Sequence, residues 1–97
     1  MKVYFTPKAE AQVVEIDLWW RANRLKSPGL FARELAEAKR FIASTPKLGR
    51  FYTRLDGQDV LRTVLRKTGH HVYYSEQPEQ ITIHCVWGAP KGRGPKL

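Results

Sequence analysis

The sequence predicts an α+β domain: an N-terminal strand, a helical hairpin, and then a three-stranded antiparallel meander with both helices packed on one sheet face. Three observations predict it. Apolar residues recur at helical spacing through two stretches of the first half, the period drops to two in the second half, and proline or glycine marks each change. The 97 residues suffice for one domain and not for two. With 42% hydrophobic and 27% charged residues, the composition is that of a globular chain.

Val3-Tyr4-Phe5 is a short run of β-formers that Thr6-Pro7 ends. Thr6 suits an N-cap and Pro7 the first helical position, where a missing N–H costs nothing. Ala9, Val13, Ile16 and Trp20 then recur at four, three and four residues, and Val14 and Leu18 widen the stripe. This helix is expected to run to Asn23 or Arg24. Ser27-Pro28-Gly29 breaks the pattern, with Ser27 as the expected cap of a second helix that Pro28 opens. Phe31, Leu35, Ala38 and Ile42 repeat the spacing, and Ser44-Thr45-Pro46 closes it before a turn at Pro46-Lys47-Leu48-Gly49.

A polar stretch containing Asp56-Gly57 follows, and then the period becomes two. Strands are expected over 60–66, 70–75 and 81–87, joined by turns at Lys67-Thr68-Gly69 and Glu76-Gln77-Pro78-Glu79. Together with the first strand they make a sheet of about four strands. On the last strand, alternation puts Ile81, Ile83, Cys85 and Trp87 on one buried face. Gly88-Ala89-Pro90 stops it. The domain is therefore expected over residues 1–90, with 91–97 as a basic, flexible tail.

Seventeen Lys and Arg against nine Asp and Glu give a net charge of +8. That excess points to nucleic acid, ribosome or an acidic protein as partner, against the alternative of plain solubility. No apolar run has the length of a membrane-spanning helix, and the N-terminal residues lack the apolar stretch of a secretory signal. Cys85 is the only cysteine, which excludes an intrachain disulfide and a thiolate metal cage. The expectation is a reduced, cytoplasmic protein with no metal, no cofactor and no membrane partner.

The order of elements and several local sequences resemble the RelE/ParE superfamily of toxin–antitoxin toxins. The carrying residues are Val3-Tyr4-Phe5-Thr6-Pro7-Lys8-Ala9, Ile16-Asp17-Leu18-Trp19-Trp20 and Ser44-Thr45-Pro46-Lys47-Leu48-Gly49. The most specific are the stretch Leu65-Arg66-Lys67-Thr68-Gly69-His70-His71-Val72-Tyr73-Tyr74 and the closing Ile83-His84-Cys85-Val86-Trp87-Gly88-Ala89. The resemblance implies a growth inhibitor of a type II system, held in a hetero-oligomer by an acidic antitoxin. RelE-like members cut messenger RNA in the ribosome. ParE-like members lack that centre and are associated with poisoning of DNA gyrase.

A metal-independent RNase needs a base, cations at the phosphate and an acid within reach of one another. By resemblance, Arg62 stands where a RelE-like strand carries its first catalytic lysine, and Val64 stands where it carries the next. His71 replaces the sheet arginine, Gly88 or Pro90 meets the position of the C-terminal arginine or histidine, and no tyrosine follows Tyr74. The pattern is mostly missing, so the ParE-like reading leads and enzymatic activity is not expected. Two alternatives stay open: a RelE-like mRNA endonuclease with a changed centre at Arg62, Arg66 and His71, and a non-toxic basic nucleic-acid-binding domain. His70, Tyr74 and His84 are further members of such a changed centre, against the plainer reading that the histidines face solvent.

For binding of a target or nucleic acid, the candidates are Arg62, Arg66, Lys67, His70, His71, Lys91, Arg93 and Lys96. Trp20 lies on the core stripe. Trp19 is turned about 100° from it and is the candidate for antitoxin contact. Cys85 reads as a small buried hydrophobe and not as a nucleophile.

Overall fold

A computed structural model describes residues 1–88, Pro95 and Leu97. In chain order the elements are β1 (Lys2–Phe5), α1 (Pro7–Asn23), α2 (Leu30–Ser44), a 3₁₀ turn (Pro46–Leu48), β2 (Arg50–Leu55), β3 (Gln58–Leu65), β4 (His70–Glu76) and β5 (Gln80–Gly88). The α+β class and the two helices are as expected, but the sheet has five strands in the order β1-β5-β4-β3-β2. The meander has four strands, not three. Its additional member, β2, forms from the stretch read as merely polar. Asp56 and Gly57 both adopt positive φ, 50° and 77°, the geometry of a tight hairpin turn that joins β2 to β3. β1 lies parallel to β5, Val3 opposite Ile81 and Phe5 opposite Ile83, while all other neighbours are antiparallel.

Thr6 caps α1: its hydroxyl accepts from the Ala9 N–H at 3.1 Å, and Pro7 follows at the first helical position. The same hydroxyl donates to the His84 carbonyl at 3.3 Å, and the Thr6 N–H donates to the Ile83 carbonyl at 3.0 Å. One residue thus closes a strand, starts a helix and ties both to β5. The second helix starts later than expected. Gly29, not Ser27, holds the N-cap position, because Ser27–Gly29 forms a turn in which the Ser27 carbonyl accepts from the Leu30 N–H at 3.2 Å. At the other end the Thr45 N–H and hydroxyl both donate to the Phe41 carbonyl at 2.8 Å. Gly49 then passes so close to the Tyr74 hydroxyl that a Cβ there would overlap it. That hydroxyl donates to the Pro46 carbonyl at 2.7 Å, pinning the turn to β4.

Both helices pack on one sheet face. Ala9, Phe31, Leu35 and Ile42 from the helices meet Leu65, Val72, Tyr74, Ile81, Ile83 and Val86 from the strands in a single buried cluster. Trp20 packs against its margin. Among the described residues no helix is long and apolar enough to cross a membrane.

The last strand corrects the expected alternation. Tyr73 pairs with Cys85 while Tyr74 pairs with Ile83, so β5 carries one extra residue at His84. Such a bulge shifts every later side chain to the opposite face. Ile81 and Ile83 remain under the helices, but Cys85 joins Val60 and Tyr73 in a second cluster that contains no helix residue. Trp87, expected in the core, is 37% exposed.

Candidate functional site

The sheet face turned away from the helices gathers the chemistry. Pairing puts Arg50 opposite Arg62, Arg62 opposite Tyr73, and Tyr73 opposite Cys85, a row across four strands. The adjoining row is Val64, His71 and Trp87. Tyr52, at the bulge where the β2–β3 register shifts, leans its ring on Tyr73 with centroids 4.7 Å apart. Two arginines, a histidine and the rings of Tyr52 and Trp87 therefore share one face, with the ring of Tyr73 buried among them at 1% exposure. Basic groups interleaved with aromatic rings offer phosphate contacts and stacking surface together.

Within this patch Arg62, His71 and Tyr73 interact. The Tyr73 hydroxyl lies 3.4 Å from His71 Nδ1, and Arg62, opposite Tyr73 on β3, brings its positive charge to bear on the same hydroxyl. Burial, and then the Arg62 charge, hold the His71 imidazole below its usual value, so it is neutral at neutral pH. Burial raises the Tyr73 hydroxyl, and Arg62 opposes that only in part, so it stays protonated. A neutral imidazole, a phenol and a guanidinium in contact can bind an anion, and on protonation the imidazole strengthens that binding.

The remaining sequence candidates separate. His70 projects to the helix-covered face, its ring 5.1 Å from Phe31, half-buried and lowered in pKa chiefly by that burial. His84 is no solvent-facing residue either: its Nε2 lies 2.9 Å from the hydroxyl of Ser75, which is 0% exposed. Tyr74 is committed to the Pro46 carbonyl under the helices. Arg66 and Lys67 follow β3 in the turn, where Glu34 of α2 accepts from the Lys67 N–H at 2.7 Å and from the Thr68 N–H at 3.0 Å. Arg66 lines a shallow groove with Glu34, Glu37 and Phe41, and only Arg62 and His71 of the proposed nuclease trio meet on the open face. Lys91, Arg93 and Lys96 lie outside the described residues.

Trp19 is 47% exposed, set edge-on to Trp20, with the Arg24 guanidinium 4.8 Å above its ring. It lines a groove of about 520 Å³ with Ile16, Val86 and Trp87, between α1 and the free end of β5. Among the described residues, no group of three or more His, Cys, Asp or Glu side chains has the arrangement of a metal site.

Trp87, read as core, is one member of the patch that sequence reasoning missed, and Arg50 and Tyr52 are two others. The signal of the last two was present in Arg50-Phe51-Tyr52-Thr53-Arg54-Leu55, a run of β-formers ended by Asp56-Gly57, the strongest short hairpin dipeptide. The arginines at both ends gave the run its polar look. In comparisons with known proteins, no family model matches the chain and no curated protein matches it.

Proposed function

We propose that this protein is the toxin of a type II toxin–antitoxin pair of the RelE/ParE kind, acting in ParE-like fashion on DNA gyrase and neutralised by an acidic antitoxin. Support comes from the resemblance in local sequence, from a strand, helical hairpin and meander in the implied order, and from the basic open face. The observation that carries the ParE-like choice is Val64. It stands 41% exposed beside His71, where a RelE-like nuclease would need a cation. A surface of arginines and aromatic rings around an aliphatic centre suits contact with a large acidic target better than hydrolysis of a phosphodiester.

Induced expression in a bacterium tests this, scoring growth while following DNA supercoiling and messenger RNA in the same cells. Growth arrest with lost supercoiling and intact message is expected. Arrest with cleavage of translated messages overturns the choice of target, and normal growth with folded protein at high level overturns the toxin reading in favour of a non-toxic binding domain.

A second reading, RelE-like RNA cleavage, is favoured by one observation: the contact among Arg62, His71 and Tyr73 puts a titratable base beside a phosphate-binding cation. Arg62→Ala and His71→Ala separate the two. Under the nuclease reading either substitution abolishes toxicity and message cleavage together. Under the ParE-like reading His71→Ala leaves most of the toxicity.

A further inference from the structure

Two exposed indoles, Trp19 of α1 and Trp87 of β5, line the same groove of about 520 Å³. Ile16 and Val86 give it an apolar lining, and Glu15 is its only charged group among the described residues. The Gln12 side-chain carbonyl accepts from the Val86 N–H at 2.9 Å, which fixes α1 against β5 at this point. The groove is therefore set by the fold and not by loops.

Glu15 is exposed and makes no hydrogen bond or ion pair with another described residue. The residues one turn away on its helix, Ala11, Gln12, Leu18 and Trp19, are all neutral, so α1 supplies it with no counter-charge. Trp19 already attracts one cation, the Arg24 guanidinium 4.8 Å from its ring centre. Arg24 does not line the groove, and Trp19 keeps 47% of its surface exposed.

We propose that this groove binds an arginine side chain presented by a protein partner, its guanidinium stacked on Trp19 and Trp87 with Glu15 as counter-charge. Indole faces attract cations through their quadrupole, and the carboxylate adds full charge and two acceptor oxygens. A guanidinium fits better than an ammonium group because it is planar, stacks on aromatic rings and is more weakly hydrated. The site is opposite in sign to the arginines of the open face. It stands apart from the toxin reading, which it neither needs nor tests.

The probe is N-acetyl-arginine amide, with N-acetyl-citrulline amide as its neutral isostere, titrated into the whole chain at low salt. At about pH 7.5 His71, opposite Trp87 on β4, is uncharged and does not compete. The indole N–H resonances of Trp19 and Trp87, assigned through Trp19→Phe and Trp87→Phe, report binding. Saturable shifts of both are expected, with the citrulline probe at least about threefold weaker. Glu15→Gln should weaken the arginine probe by a similar factor and leave the citrulline probe unchanged.

Equal binding of the two probes, an unaltered arginine affinity in Glu15→Gln, or shifts confined to Trp20 overturns the proposal. Choline decides between sources of the cation, since tighter binding of choline than of the arginine probe overturns the assignment to arginine. Circular dichroism checks the fold of Glu15→Gln. Should that variant misfold, raised salt on the unaltered chain gives the second measurement: it should weaken the arginine probe and spare the citrulline probe, and equal sensitivity of the two overturns the role of Glu15.

Discussion

The two faces of one sheet are built on different terms. The helix-covered face draws Phe31, Leu35 and Ile42 onto Val72, Ile81 and Ile83, and it ties Tyr74 to Pro46 and the β3–β4 turn to Glu34, while His70 Nδ1 is buried there without a hydrogen-bond partner among the described residues. The open face sets Arg50 directly against Arg62, keeps Val64 41% exposed, and shelters a smaller apolar cluster under Leu97. Like charges opposite one another on a sheet are destabilising. A fold that places them there sacrifices stability at that face, which is what a binding surface for anions does.

If the covered face carries the fold, truncation there has the largest effect. Phe31→Ala is expected to cost about 3–5 kcal/mol, since Phe31 is fully buried between α2 and the sheet and also supports His70. Leu55→Ala, at the half-buried margin of the open-face cluster, should cost less than half as much. Urea unfolding of both variants measures the difference, and equal losses would erase the distinction between the faces.

Glu34 gives the next largest effect. Its carboxylate accepts from two backbone N–H groups of the turn and from the Thr68 hydroxyl at 2.7 Å. Glu34→Ala leaves those donors to water and should cost about 1–3 kcal/mol, with Glu34→Gln restoring part of it. Hydrogen exchange at Lys67 and Thr68 should rise in Glu34→Ala before exchange rises elsewhere.

What was legible in the sequence follows the same division. The helices and the strands flanking the Lys67–Gly69 turn are local patterns, and Thr6-Pro7 announced the start of α1 because capping is decided within one turn of chain. The parallel pairing of β1 with β5 is a contact across nearly the whole sequence, which no local pattern encodes. The bulge at His84 was equally hidden: Ile81, Ile83, Cys85 and Trp87 alternate without a break in sequence, and only the pairing to β4 shows two residues of β5 opposite one. At the site, Arg62 and His71 were legible because they sit on strands with clean periodicity. Arg50 and Tyr52 were not, since the charges of β2 serve the open face and mask the strand.

A smaller effect is expected from acid. His70, His71 and His84 all have pKa values below the ordinary 6.5, each chiefly through burial. A histidine that resists protonation in the folded state, but not in the unfolded chain, makes the unfolded chain bind more protons. Stability is then complete above the unfolded value near 6.5 and falls as pH drops below it toward the folded values. Thermal melts should shift down steadily between about pH 7 and pH 5. His70→Phe, which keeps a tilted ring contact with Phe31, should flatten the slope without much change at neutral pH. A melting temperature independent of pH across that window would mean the three imidazoles titrate freely.

The smallest expected change has the opposite sign. Arg50 is exposed and stands opposite Arg62, so Arg50→Thr removes a like-charge cross-strand pair and introduces a good strand former. It should leave stability unchanged or raise it by a few tenths of a kcal/mol. Salt sharpens the reading, because it screens the Arg50–Arg62 repulsion in the parent protein and that pair is absent from the variant. The two melting curves should converge as ionic strength rises. Affinity for a polyanion should fall in the variant at low salt. A loss of stability that salt does not alter would show that Arg50 holds the sheet together, and the open face would then be structural like the other one.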